Sequence, residues 1–316
     1  MRPPVVALVG PTASGKTELA IALARRLGGE VVSADSRQLY RGFDAGTAKP
    51  QFGPDGLAVD GAGPGAPYHL VDTADPSETV SAGAYARLAG PILKAIADRG
   101  RPAIVAGGTG LYIRALLEGF DELPEADPAV RSELSAEADR LGLPALHQRL
   151  AEADPDAAVR IPPGNRQRLI RALEVQRITG RPISSFWGKK DGTAGPKPLY
   201  LSIRWEPDQL RGRIERRSKA MWPGILTEVR RLLERWPRTS PAFQSIGYRE
   251  ALDCVEGRTT PEQGLLLMTR ATLAYAKRQR TWFSGQVPDA VRIPGGPIDA
   301  MLAAVLAAIE RKEEPA

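Results

Sequence analysis

Gly10-Pro11-Thr12-Ala13-Ser14-Gly15-Lys16-Thr17 has the spacing G-x-x-x-x-G-K-[ST]. Each residue type in it has a chemical use. The glycines let the backbone turn its N–H groups toward phosphate oxygens, Lys16 supplies a point charge, and the start of the following helix adds a dipole. The Thr17 hydroxyl can bind Mg²⁺. The loop alone does not say which phosphate compound it holds. Nucleotide-hydrolysing and kinase sites normally add a carboxylate after an apolar strand. Here the strand over 102–106 runs into Ala106-Gly107-Gly108, with no acid. Asp35, after Val31-Val32-Ser33-Ala34, is the carboxylate at a strand end near the loop. It can act as a general base or accept a hydrogen bond from an amine. It can equally cap the polar turn that begins at Asp35-Ser36. Arg37, Gln38 and Tyr40 lie in the same loop.

These groups need elements to hold them. Val5-Val6-Ala7-Leu8-Val9 is a continuous apolar run ending in glycine, the signature of a buried parallel strand. Residues 16–27 carry Leu19, Leu23 and Leu27 on one helical face, and 30–34 form a second strand. Residues 50–66, rich in Gly and Pro, read as loop; 82–99 read as helix. Strands alternating with helices predict βαβ units. The expected fold is α/β: a P-loop NTPase-like parallel sheet flanked by helices, with a helical insertion. Its first part spans 1–120. The insertion spans 121–187, with helices at 129–141, 144–152 and 165–179. The core resumes over 188–316: a linker at 186–198, a strand at 199–203, helices at 208–219, 223–235, 245–255, 261–284 and 297–312, and a short strand at 290–293. Trp222-Pro223 predicts a helix restart, because proline suits a first-turn position.

Composition narrows the setting. Of 316 residues, 42% are apolar and 25% charged, ordinary for a globular chain with a sizeable core. The single Cys254 leaves no partner for a disulfide within the chain, and fits a reducing cytoplasm. No segment approaches the ~20 apolar residues of a membrane span, so no membrane partner is expected. The net charge of +6 is unevenly spread: −6 over 1–159, +12 over 160–238 and 0 over 239–316. A basic middle block is the footprint of a polyanion, or a solvated arginine-rich helical surface.

Seven segments together resemble the tRNA isopentenyltransferase (dimethylallyltransferase) family. They are Gly10 to Thr17; Asp35-Ser36-Arg37-Gln38-Leu39-Tyr40; Gly46-Thr47-Ala48-Lys49-Pro50; Gly107-Gly108-Thr109-Gly110-Leu111-Tyr112; Asn165-Arg166-Gln167-Arg168 through Arg171-Ala172-Leu173-Glu174; Ile246-Gly247-Tyr248-Arg249-Glu250; and Tyr275 through Phe283. They occur in the family's order and cover residues 5 to about 285. The resemblance implies transfer of the dimethylallyl group of dimethylallyl diphosphate to N6 of the adenosine just 3′ of the anticodon. The P-loop then grips a diphosphate leaving group, which accounts for the missing second acid. The resemblance further implies Asp35 as general base, with Thr17 and Mg²⁺, Lys16 and an arginine, Arg217 before Arg213, at the departing diphosphate. Thr109 is implied beside the target adenosine, or as the cap of the helix that follows it.

By resemblance, the tRNA anticodon stem-loop contacts Asp35, Ser36, Arg37 and Gln38; Arg131; Gln167, Arg168, Leu169, Ile170 and Arg171; Gln244, Ser245, Ile246, Gly247, Tyr248 and Arg249; and Lys277, Arg278, Gln279, Arg280, Thr281, Trp282, Phe283 and Ser284. The residue types agree in part. Arg168 and Arg171 share a helix face, and Lys277, Arg278 and Arg280 are interleaved with Tyr275 and Trp282, as phosphate binding and base stacking require. Trp282 and Phe283 could instead be core at a helix end. A monomer is expected, and the family's eukaryotic zinc finger is excluded by the single Cys. Three rivals remain: a prenyltransferase of free adenine nucleotides, a P-loop small-molecule kinase, and a non-catalytic RNA-binding module.

Overall fold

β1 (Val5–Val9) sets the layers, because its side chains alternate between two cores. Val5, Ala7 and Val9 enter one apolar cluster, and Val6 and Leu8 the other. The computed structural model describes residues 5–60, 64–119, 121, 123–188 and 198–313. After β1 come α1 (Lys16–Leu27), β2 (Glu30–Ser33), β3 (Gln51–Phe52), β4 (Ala58–Val59), β5 (Tyr68–His69), α2 (Ala82–Asp98), β6 (Ala103–Gly107) and α3 (Gly110–Glu118). A helical stretch follows: α4 (Pro128–Leu141), α5 (Leu143–Ala153), α6 (Pro155–Arg160) and α7 (Arg166–Thr179). The chain then resumes the sheet with β7 (Leu199–Arg204), α8 (Pro207–Leu233), α9 (Tyr248–Val255), α10 (Pro261–Gln286), β8 (Val291–Pro294) and α11 (Ile298–Glu313).

The six-stranded sheet has the order β5-β2-β6-β1-β7-β8. Every pairing in it is parallel, so all strand C-termini open on one edge. Ligands of open parallel sheets bind at that edge. One face is covered by α1 and α11 through Leu19, Leu23, Met301 and Val305. The other is covered by α2, α3 and α8–α10, through Tyr85, Tyr112, Ile225, Tyr248 and Phe283. Both strand ladders and helix cover belong to one compact unit, residues 1–117 and 195–316. Residues 118–194 form a second unit with its own core of Leu134, Leu146, Leu150, Leu169 and Leu173.

The strands and helices expected from the pattern are present, most with ends shifted by one or two residues; the helix expected over 245–255 starts three residues later, at Tyr248, and three further differences matter. Residues 50–66 are not plain loop: β3 and β4 pair antiparallel, Gln51 with Val59 and Phe52 with Ala58. The insertion contains α6, a six-residue helix too short for periodicity to reveal, started by Asp154, whose carboxylate accepts from Ala157 N. The linker expected over 186–198 lies outside the described residues from 189 to 197.

The third difference is α8, a single 27-residue helix in place of two, with Pro223 inside it. Proline in a helix interior removes one backbone hydrogen bond and costs about 3 kcal/mol. Here the turns on either side are pinned to the core by Trp222, Ile225, Val229 and Leu232, all buried. That burial outweighs the local penalty, and the helix continues. Pro223 itself is exposed. Pro223→Ala is therefore expected to raise the melting temperature, by about 2–4 °C for each kcal/mol recovered, in a calorimetric scan. An unchanged or lower value would mean that the proline's local geometry is needed for the packing around it.

Candidate active site

Gly10 to Thr17 connects β1 to α1 at the open edge of the sheet. Ala13 and Gly15 have φ of 62° and 91°, the left-handed turn that wraps the loop. Lys16 Nζ folds back and donates to the Pro11 carbonyl at 2.7 Å. Its pKa is lowered to about 8, chiefly by burial, against the opposing pull of Asp35 and with a further push from Arg217.

Three residues outside the loop fix its backbone. Gln279 of α10 accepts from Thr12 N at 2.8 Å and donates to the Gly108 carbonyl at 2.9 Å. Both ends of its amide are thereby used, and it is only 5% exposed. Trp205, the residue after β7, donates from Nε1 to the Ser14 carbonyl at 3.1 Å. Arg213 donates from Nε to the Ala13 carbonyl at 2.8 Å and stacks its guanidinium over the Trp205 ring at 4.4 Å. One turn further along α8, Arg217 donates to Thr12 Oγ1 at 3.4 Å, and burial lowers its pKa while Asp35 opposes that shift. Both candidate arginines thus face the P-loop. Arg213 is engaged with the loop's own carbonyl, and Arg217 with the Thr12 hydroxyl and, through Nε, with Met221 Sδ at 3.2 Å.

Asp35 follows β2, and its Oδ1 accepts from Arg37 N at 2.9 Å. The capping role is real, but it occupies one oxygen of the carboxylate. The other groups around Asp35 are functional in type. It is an electrostatic neighbour of Lys16 and Arg217, and its charge helps raise the pKa of Tyr68 and Tyr275. Burial is the larger cause for both phenols; Tyr275 is pushed up to about 12, and Tyr68, beside Ser33 and Thr17, higher still. The loops after β2 and β6 are tied together. Thr109 Oγ1 accepts from Ser36 N at 3.0 Å, and Thr109 N donates to the Ala34 carbonyl at 3.1 Å. Thr109 also starts α3, its carbonyl accepting from Tyr112 N.

Asp35, the P-loop, Arg217, Tyr68 and Tyr275 line one cleft of about 1260 Å³. The strands that flank β1 bring no acid to it: β6 ends at Gly107 and β7 at Arg204. Among the described residues there is no cluster of three metal-ligating side chains. Mg²⁺ does not need one, since it is commonly held by one or two protein oxygens plus phosphates and water. Thr17, at the start of α1 and lining the cleft, is suited to that.

The remaining residues of the implied RNA surface divide by exposure. Arg37, Gln244, Arg249, Lys277, Arg278, Thr281 and Ser284 are exposed, and Ser36, Ile246 and Arg280 are partly so. Gln38, Ser245, Gly247, Tyr248, Gln279 and Phe283 are buried, and of these Gln38, Ser245 and Gln279 line the cleft. Several have a clear internal task. Gln38 accepts from Ser33 Oγ at 2.9 Å and donates to the Ala48 carbonyl at 3.1 Å. Tyr248 OH accepts from Gly46 N and donates to Glu228, which in turn accepts from Asp44 N and Ala45 N. The segments Gly46 to Pro50 and Ile246 to Glu250 are thus joined through Gly46 and Tyr248. Gly46 must be glycine, because a Cβ there would collide with the Tyr248 ring. Trp282 is half-buried, its ring against Gly110 and edge-on to Phe283, which supports core packing over base stacking.

In the helical unit, Gln167 and Arg168 are exposed, whereas Leu169 and Ile170 point into that unit's core. Glu174 is fully buried and accepts from Arg131 and Arg171, at 2.8 Å each, and from Asp127 N. Their attraction holds its carboxyl below the usual range against the cost of burial. Arg131 and Arg171 are therefore held in place by an acid. Trp205, Tyr68 and Glu228 escaped the sequence reading as site residues, and Tyr275, read there as a base-stacking aromatic, lines the cleft. Trp205 had one available signal: it is the first residue past an apolar strand, where parallel sheets place ligand-facing groups.

The cradle at the open edge of a parallel sheet, with a carboxylate facing it and no acid on the two strands beside β1, defines a P-loop α/β protein with a phosphate-binding cleft, which Glu18 and Asp60 also line. The IPP transferase family model matches residues 38–286, and an isopentenyl transferase model matches residues 3–52. The chain belongs to the tRNA dimethylallyltransferase family: the enzyme of that name from Myxococcus xanthus is 46% identical over 292 residues, covering 92% of each chain. The crystal structure of a tRNA isopentenylpyrophosphate transferase from Bacillus halodurans is similar at a TM-score of 0.67 and 36% identity, over 98% of this chain and 97% of its own. The fold is also that of a eukaryotic dimethylallyltransferase acting on tRNA, at a TM-score of 0.80 and 23% identity, over 99% of this chain and 80% of that one.

Proposed function

We propose that this chain moves the dimethylallyl group of dimethylallyl diphosphate to N6 of the adenosine 3′-adjacent to the anticodon of tRNA. The observation that carries the reading is the single cleft in which the P-loop faces Asp35 with no acid on either strand beside β1. A kinase or hydrolase needs that second acid to hold its metal; a site that only captures a departing diphosphate does not.

In the reaction, the N6 nitrogen forms a bond to C1 of the prenyl group while the C1–O bond to diphosphate breaks. Asp35 takes the proton that N6 loses. The bond's electron pair leaves with the diphosphate, whose charge is met by Lys16, Arg217 and the N–H groups of the P-loop. Thr17 would hold Mg²⁺ against the diphosphate oxygens; the ion supplies further charge neutralisation there. The adenosine must leave its stack to enter the cleft. Exposed Arg168, Arg249, Lys277 and Arg278 suit the phosphates of an anticodon stem-loop. The setting that goes with this reading is a cytoplasmic monomer acting on tRNA. Among the described residues no helix is long and apolar enough to cross a membrane.

The test offers labelled dimethylallyl diphosphate and Mg²⁺ with unmodified tRNA, AMP or ATP. Label is expected on tRNA, at the adenosine beside the anticodon. Label on AMP or ATP but not on tRNA would support a cytokinin-type activity and end the tRNA reading.

A further inference from the structure

A cradle of N–H groups imposes a condition on its own carbonyls. Where successive amides turn inward to a phosphate, the carbonyls between them turn outward and need donors. The loop Gly10 to Thr17 meets that need in two ways. Lys16 Nζ supplies the Pro11 carbonyl, and Leu19 N, in the first turn of α1, supplies the Gly15 carbonyl at 3.0 Å. The Ala13 and Ser14 carbonyls, in the middle of the loop, are supplied from outside it, by Arg213 Nε at 2.8 Å and Trp205 Nε1 at 3.1 Å. Arg213 itself rests on the Trp205 ring, 4.4 Å from its centroid. Both middle carbonyls therefore depend on one indole, the first through Arg213 and the second directly.

Trp205 is seated in turn by the C-terminal segment. β8 and α11 lie past residue 286, where the matched IPP transferase model ends. The turn between them brings Gly295 against the indole, so that a Cβ at Gly295 would collide with the ring. No positive φ calls for glycine there; the close approach of the ring does. Gly295 N donates to the Arg204 carbonyl at 2.6 Å, which ties the turn to the residue beside Trp205. The first turn of α11 reaches the loop as well: Met301 Cε would lie 3.3 Å from a Cβ at Gly15, and Ile298 Cδ1 3.8 Å. The next residue along, Gly296, faces open space.

From this chain of contacts we infer that Trp205 is a positioning residue for the phosphate cradle, and that the β8–α11 turn sets donor affinity through it without touching the donor. The inference rests on the function proposed above only in taking a diphosphate as the loop's ligand. An indole suits the task because its N–H is fixed in the plane of a ring that both Gly295 and the Arg213 guanidinium contact. The two carbonyls are thus held before any phosphate arrives, and the cost of ordering the loop falls on folding rather than on binding. Trp205 stands behind the loop, outside the lining of the main cleft. Its loss should weaken the cradle equally in the ground state and the transition state.

The experiment titrates the full chain with inorganic diphosphate and Mg²⁺ in a calorimeter, and compares Trp205→Phe, Gly295→Ala, the double variant and, as a control, Gly296→Ala. Trp205→Phe keeps a ring for Arg213 and loses the N–H; Gly295→Ala keeps the N–H and displaces the ring. Each is expected to bind diphosphate about 3–10-fold more weakly, the size of one hydrogen bond. The double variant should lose less than the product of the two factors, because both act through one bond. KM for dimethylallyl diphosphate should rise by the same factor with kcat within about twofold, the mark of lost uniform binding. tRNA affinity should stay at the wild-type level, and Gly296→Ala should match wild type throughout. Folded Trp205→Phe with wild-type diphosphate affinity would overturn the inference, as would factors that multiply in the double variant or an equal loss of tRNA affinity. Trp205→Phe decides the matter if Gly295→Ala fails to fold. Transfer of label to tRNA or to a free nucleotide does not enter these titrations, so the inference and the proposed function fail separately.

Discussion

Asp35→Asn is expected to lower kcat for prenyl transfer by about 10²–10⁴, the usual range for removing a general base. Asparagine is the informative replacement. Its Oδ1 can still accept from Arg37 N, as Asp35 does at 2.9 Å, so the turn after β2 keeps its cap. What it loses is the ability to take a proton. Alanine would remove cap and base together and leave the two roles mixed. The tRNA affinity of Asp35→Asn should remain at the wild-type level. A near-normal rate in single-turnover measurements would reduce Asp35 to a cap, and the base would have to be sought elsewhere in the cleft.

Lys16→Met is expected to lower kcat by about 10²–10³, the cost of losing one well-placed donor to a developing anion. Methionine keeps the unbranched stem and removes the ammonium that donates to the Pro11 carbonyl. The same lysine predicts a pH dependence. Burial lowers its pKa to about 8, so it is charged below that value and neutral above it. The charged form is the one that binds diphosphate. In the free enzyme, kcat/KM for the prenyl donor should therefore fall as pH rises through about 8. With the donor bound, its negative charge raises the lysine pKa, so the limb in kcat should lie at higher pH. Profiles that show the same limb in both parameters, or none, would remove Lys16 from the diphosphate site.

Much of this molecule could be read from residues alone, for reasons that differ by feature. The P-loop was legible because its geometry needs glycine and lysine at fixed offsets, and β1 because a strand buried on both faces is apolar throughout. The Glu228–Tyr248–Gly46 link was not legible, because its members are 20 and 202 residues apart in sequence. Family-like segments such as Ile246 to Glu250 read as an RNA surface when much of their constraint is internal. Tyr248 is there to hold the 42–49 loop, and Gln279 to brace Thr12. The continuity of α8 through Pro223 was hidden for another reason: local propensity argued for a break, and the burial that overrides it is tertiary.

Gln279 gives α10 two allegiances. The inward edge of the helix grips the amide of Thr12, while its outward edge bears Lys277, Arg278 and Arg280. On the function proposed above, a donor seated in the P-loop and an acceptor lying along the helix lean on the same helix. Linkage then imposes a symmetry. By whatever factor one ligand's occupancy tightens or loosens the other, that other must return the same factor. The side chain through which that factor would pass is Gln279, which bonds both Thr12 N and the Gly108 carbonyl.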